Sequence, residues 1–85
     1  MKNTTGNRRI VADIRARIAS GDWAPGDKLP ATHELRDYYR HRYASPTLAI
    51  GTVERALNIL KESGVLRGQQ GQGIFVEGHP TDETT

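Results

Sequence analysis

Residues 53–76, VERALNILKESGVLRGQQGQGIFV, change their hydrophobic period partway along, and that change decides the fold. Val53, Ala56, Leu57 and Leu60 fall at i, i+3, i+4 and i+7, the spacing that lines one face of an α-helix. Ser63 and Gly64 close the pattern, glycine because it accepts the left-handed backbone at a helix end. Two short runs come next, Val65-Leu66-Arg67-Gly68 and Ile74-Phe75-Val76-Glu77, divided by the polar stretch Gln69-Gln70-Gly71-Gln72-Gly73. These read as the strands of a hairpin.

Upstream, Ile10, Ile14 and Ile18 recur every four residues with Val11 beside them, which predicts a helix from about Asn7 to Ser20. Asn7 is its expected N-cap and Gly21 its expected stop. The stretch Gly21 to Pro30 is too rich in turn formers to be helix. Pro25-Gly26 suits the centre of a type II turn, because proline presets the first φ and glycine accepts the positive second one. Trp23 is expected as a lid on the core. A second helix should begin just after Pro30, turn Leu35 and either Tyr38 or Tyr39 inward, and end near Tyr43.

Three helices followed by a hairpin make a mainly α domain with a small β-hairpin, the element order of a winged helix-turn-helix. In that architecture the third helix lies in the major groove of DNA and the hairpin, the wing, reaches along the adjacent backbone or minor groove. The expected division is a flexible lead over residues 1–7, the winged helix over 8–77 and a disordered acidic tail over 78–85, where Glu77 is followed by Asp82 and Glu83 but no apolar residue.

Composition excludes much else. A chain of 85 residues holds one small domain, and without cysteine it has neither disulfides nor thiolate ligands for a metal. Apolar runs never approach the roughly 20 residues of a membrane span. The start of the chain is polar, with no apolar run of the secretory kind, so a cytoplasmic location is expected. The formal charge is +2, but Lys2, Arg8, Arg9, Arg15 and Arg17 crowd the first 20 residues against Asp13 alone, and the acidic excess sits in the tail. A basic body with a pI of about 9.3 suits a polyanion partner. His33, His41 and His79 lack acidic partners at ligand spacing, so no metal or cofactor is expected. No nucleophile, base and orienting acid stand together, and catalysis is not expected.

Several joint motifs carry a resemblance. Ile18-Ala19-Ser20-Gly21 leads to Pro25-Gly26-Asp27-Lys28-Leu29-Pro30, then come Glu34-Leu35, Thr52-Val53-Glu54-Arg55-Ala56-Leu57 with Leu60 and Gly64, and Gly71-Gln72-Gly73-Ile74-Phe75-Val76. In this order and spacing the chain resembles the N-terminal DNA-binding domain of the GntR-type bacterial transcriptional regulators, over about residues 8–77. The resemblance implies sequence-specific binding of double-stranded DNA, by one copy or by a homodimer on paired half-sites. Its usual C-terminal effector domain is not encoded in these residues, so no small-molecule effector is expected. The other class in view is a winged helix that docks on another DNA-binding protein, suggested by Glu54 and Glu62 on the third helix.

The sequence also departs from its family. Ala31, Thr32 and His33 occupy the family's Ser-Glu-Arg positions, and Ala49, Ile50 and Glu54 replace a serine and two arginines of the recognition helix. Thr52 and Arg55 remain as implied DNA contacts, with His33 as a phosphate donor and Gln70 and Gly71 at the tip of the wing. Seven extra residues also separate Leu35 from Val53. Either Ser45-Pro46 starts a longer third helix, or residues 44–50 form a loop and the helix starts near Ala49. Serine is a favoured N-cap and proline a favoured first residue, which favours the longer helix. Arg40, Arg42, Ser45 and Thr47, with His41, would then approach the groove and replace the missing arginines.

Overall fold

The computed structural model describes residues 2–77. Its elements are α1 (Lys2–Ser20), α2 (Thr32–Arg42), α3 (Ile50–Glu62), β1 (Leu66–Gln69) and β2 (Gly73–Val76), the order expected of a winged helix. Ile10 and Ile14 of α1, Leu35 and Tyr39 of α2, and Val53, Ala56, Leu57 and Leu60 of α3 are all buried in one core. Leu29, Leu66 and Val76 close it from the hairpin side. The residues that set the helical period are therefore the ones that pack. Of the two tyrosines left open for the core, Tyr39 is fully buried and Tyr38 stays 39% exposed.

α1 starts at Lys2, so residues 2–7, read as a flexible lead, carry its first turns, and Asn7 is not its cap. The reason is packing. Asn7 lies three residues before Ile10, on the same helix face, and is buried at 6% exposure. One residue earlier, a Cβ on Gly6 would stand 3.3 Å from Cγ2 of Thr52. At the other end of the same pair, Nη2 of Arg15 donates to Oγ of Ser63 at 3.4 Å. α1 and α3 thus lie side by side and run in the same direction.

Residues 21–29 bend as their composition requires. Gly21 and Gly26 both take φ of +91°, and the amide of Asp27 donates to the carbonyl of Ala24 at 2.9 Å across Pro25-Gly26. The pairing of this loop with the hairpin was not legible in the sequence. The amide of Gly26 donates to Val76 O at 2.9 Å, that of Val76 to Asp27 O at 2.8 Å, and that of Leu29 to Ile74 O at 2.8 Å. Residues 26–29 so lie against the edge of β2. The hairpin itself pairs Leu66 with Val76 and Gln69 with Gly73, antiparallel, around a turn of Gln70, Gly71 and Gln72. Residues 78–85, including the expected acidic tail and His79, lie outside the described residues.

The third helix corrects the longer version. It begins at Ile50 after Ala49, and Ser45-Pro46-Thr47-Leu48 is a turn in which the amide of Leu48 donates to Ser45 O at 3.1 Å. Serine before proline initiates a β-turn as well as it starts a helix. Ala44 has φ of +51°, which takes the chain out of α2, and the half-buried Leu48 packs against the core. A helix from Ser45 would give up that contact.

A polar hub joins α1 to α2. Asp13, with an 11% exposed side chain, accepts from Tyr39 Oη at 2.8 Å and Arg17 Nε at 3.0 Å, and pairs with Arg42 Nη2 at 3.4 Å. Burial first, then the hydrogen bond and the charge of Asp13, push the Tyr39 hydroxyl well above the usual tyrosine range, so it stays a donor. We predict that Tyr39→Phe costs about 1.5–3 kcal/mol in urea unfolding, the range for a hydrogen bond to a charged group. The unfolded hydroxyl ionises near pH 10 and the folded one higher, so the contribution is full below about pH 10 and falls as pH rises beyond it. The gap between native and Tyr39→Phe stability should narrow in that window, and a constant gap would contradict the assignment.

Candidate nucleic-acid interface

The solvent face of α3 is set by its period. With Val53, Ala56, Leu57 and Leu60 inward, Gly51, Glu54, Arg55, Asn58 and Glu62 face outward. Glu54, Asn58 and Lys61 also line a shallow trough that is completed by Thr32 at the head of α2 and Ile74 of β2. The trough is the junction of helix-turn-helix and wing. Lys28 lies beside the wing, since a Cβ on Gly73 would stand 2.7 Å from its Cε. Both helix heads in this region lack an acceptor side chain at the cap. Ala49 offers none to α3, and at α2 only the return bond exists, from Ala31 N to Glu34 Oε1 at 2.9 Å. Open amides at a helix head favour an anion.

The residues expected to bind DNA fall into two groups. His33 at the start of α2, Arg55 on α3, Thr47 in the turn after α2, and Gln70 and Gly71 at the wing tip are exposed. Among the described residues Arg55 makes no ion pair or hydrogen bond, so its guanidinium is available. The others are committed elsewhere. Thr52 is 8% exposed and sits against α1. Arg40 donates from Nε to Leu48 O at 3.0 Å and braces the turn between α2 and α3. Ser45 is half-buried, and its amide donates to Arg40 O at 2.8 Å. Arg42 pairs with Asp13 while its side chain remains 47% exposed, so it is held in place at the surface.

The charge of Lys61 was legible as a feature favouring DNA, but sequence reasoning passed over Asn58 and Lys28. Asn58 shares the i, i+4, i+7 stripe with Glu54 and Lys61, a signal that was present in the chain. Lys28 carried none, because its place depends on strand pairing between distant residues. Among the described residues no group of histidine and carboxylate side chains forms a metal site.

Comparison with known proteins agrees with this fold. Residues 7–76 match the family model of bacterial regulatory proteins of the gntR family. Over 69 residues the chain is 32% identical to the uncharacterized HTH-type transcriptional regulator YdcR of Escherichia coli strain K12, covering 81% of this chain and 13% of that protein. It is 32% identical over 77 residues to the uncharacterized HTH-type transcriptional regulator YdfD of Bacillus subtilis strain 168, covering 89% of this chain and 14% of that one. The chain therefore spans about an eighth of the length of these curated relatives. Both relatives are named as HTH-type transcriptional regulators. Among solved structures, a GntR family transcriptional regulator from Listeria monocytogenes shares the fold with a TM-score of 0.76 at 24% identity, over 88% of this chain and 60% of that one. The possible transcriptional regulator YydK of Bacillus subtilis subsp. subtilis str. 168 superposes with a TM-score of 0.72 at 26% identity, over 87% of this chain and 29% of that one. With a winged helix-turn-helix fold and a family match across nearly all of its described residues, the chain belongs to the gntR family of bacterial helix-turn-helix transcriptional regulators.

Proposed function

We propose that this chain binds double-stranded DNA with sequence preference and thereby regulates transcription, a role that would place it in the cytoplasm. The observation that carries the proposal is the shared outlook of the α3 surface, the head of α2 and the wing, three parts that a winged helix applies to adjacent grooves and backbone. Arg55 would read a base edge, since a free guanidinium matches the paired acceptors of guanine. His33 and Arg42 would contact phosphate, and Gln70 and Gly71 would follow the backbone beside the wing. With Thr52 enclosed and two family arginines replaced by Ile50 and Glu54, the contact pattern differs from the one its family motif implies. A protein-docking reading is favoured by the 41% exposure of Ile59 together with Glu54 and Glu62 on the same helix.

Titration of random and upstream duplexes at two salt concentrations separates the two readings. DNA binding predicts an affinity that falls as salt rises, through release of counterions, and differs between sequences. No binding at low salt would transfer the weight to protein docking. Arg55→Ala should cost about 1–3 kcal/mol on the preferred duplex and much less on random DNA, whereas an equal loss on both would make it a phosphate contact.

Assembly is proposed on the same basis. The large apolar residues are used in one core, and only Tyr38 and Ile59 are exposed large hydrophobics among the described residues. The isolated chain should therefore sediment as a monomer at micromolar concentration, with two copies assembling on DNA that carries paired half-sites. A tight dimer without DNA would contradict this.

A further inference from the structure

A second basic feature lies away from the trough, on α1 about two turns from its start, and its interpretation rests on the DNA-binding reading above. Tyr43 ends α2, within the segment where the chain is longer than its family motif. Its ring stacks on Tyr39, with centroids 5.6 Å apart and planes 11° from parallel. Two guanidiniums lie against that ring, with Cζ of Arg9 4.5 Å from the centroid and Cζ of Arg42 at 5.8 Å. The Tyr43 hydroxyl donates to the backbone carbonyl of Arg9 at 3.4 Å. Arg42 is neutralised by Asp13, but Arg9 has no carboxylate partner among the described residues.

The position of this pair matters as much as its charge. Gly6 meets Thr52 in the first turn of α3, and Arg9 lies one helical turn further along α1. Because α1 and α3 run in the same direction, Arg9 stands level with the N-terminal half of α3, about a turn past Thr52, and that end of such a helix is the one that meets base edges in the major groove. That end carries no acidic residue in its first turn. A guanidinium resting on an aromatic face keeps its planar fork turned outward and has less freedom to lose on binding.

We propose that Arg9, held over Tyr43 and flanked by Arg42, is a clamp for a phosphate of the DNA backbone that passes beside the N-terminal half of α3. It supplies at the start of the chain a cation that Ile50 and Glu54 no longer supply on α3. Its contact is independent of sequence, since phosphates carry no base information.

The test compares the 85-residue chain with its Arg9→Ala, Arg9→Gln and Arg9→Lys variants on a preferred and a random duplex between 50 and 200 mM salt. Arg9→Gln keeps most of the stem and covers the case in which Arg9→Ala disturbs α1, with circular dichroism as the check on folding. Arg9→Ala and Arg9→Gln should bind both duplexes more weakly by the same factor. Across that salt range they should lose about 3.5-fold less affinity than the native chain, the effect of one phosphate fewer at a slope of about −0.9 per contact. Arg9→Lys should keep the native slope. A folded Arg9→Gln with native affinity and native slope would overturn the clamp and leave DNA binding intact, as would a loss confined to the preferred duplex. If the native chain binds neither duplex at any salt, the DNA-binding reading has failed and the clamp with it.

Discussion

The grip of Tyr39, Arg17 and Arg42 on Asp13 is the constraint on which the orientation of the helices depends. Apolar packing is non-directional, so a core of isoleucine, leucine and valine tolerates small rotations of α1 against α2. A carboxylate that receives Tyr39, Arg17 and Arg42 at once does not. Arg17 extends the same network outward, lying 5.6 Å from the Trp23 centroid and 4.8 Å from that of Tyr38, so the loop after α1 is tied to α2 as well. With α1 and α2 fixed, α3 has one way to fill the remaining face of the core.

The wing is positioned by a separate device. A lone two-stranded hairpin is marginal in water, and this one is supported by the pairing of residues 26–29 with β2 and by Leu66 and Val76 in the core. The turn at Pro25-Gly26 therefore acts at a distance. It brings Lys28 to the wing and Leu29 to the core at the same time, and it leaves the tip at Gln70 and Gly71 as the exposed part. A rigid base with an exposed tip suits a surface that follows a nucleic-acid backbone.

The candidate interface mixes parts kept from the family motif with parts that depart from it. Family motifs supply the scaffold residues, among them Leu35, Val53, Leu57 and Gly64, while the positions that touch DNA in the implied scheme are largely replaced. The link between α2 and α3 is used for bracing. Arg40 holds the Leu48 carbonyl, Ala44 reverses the backbone, and Tyr43 reaches back to α1. The residues between α2 and α3 are absorbed into a braced turn instead of lengthening α3.

The sequence by itself determined the element order, the buried faces of α1 and α3, Leu35 on α2 and the hairpin, because periods of 3.6 and 2 are local consequences of which residues must leave water, while the choice of Tyr39 over Tyr38 came from the structure. It also carried Arg55, His33 and the wing tip as exposed candidates. It did not determine where α1 begins, because the burial of Asn7 depends on α3, nor that Thr52 is enclosed, because Gly6 lies 46 positions away. Ser45-Pro46 is the clearest division between the two levels. Its local chemistry suits a helix start and a turn alike, and only tertiary structure decided between them: Leu48 must reach the core, and its carbonyl must meet Arg40.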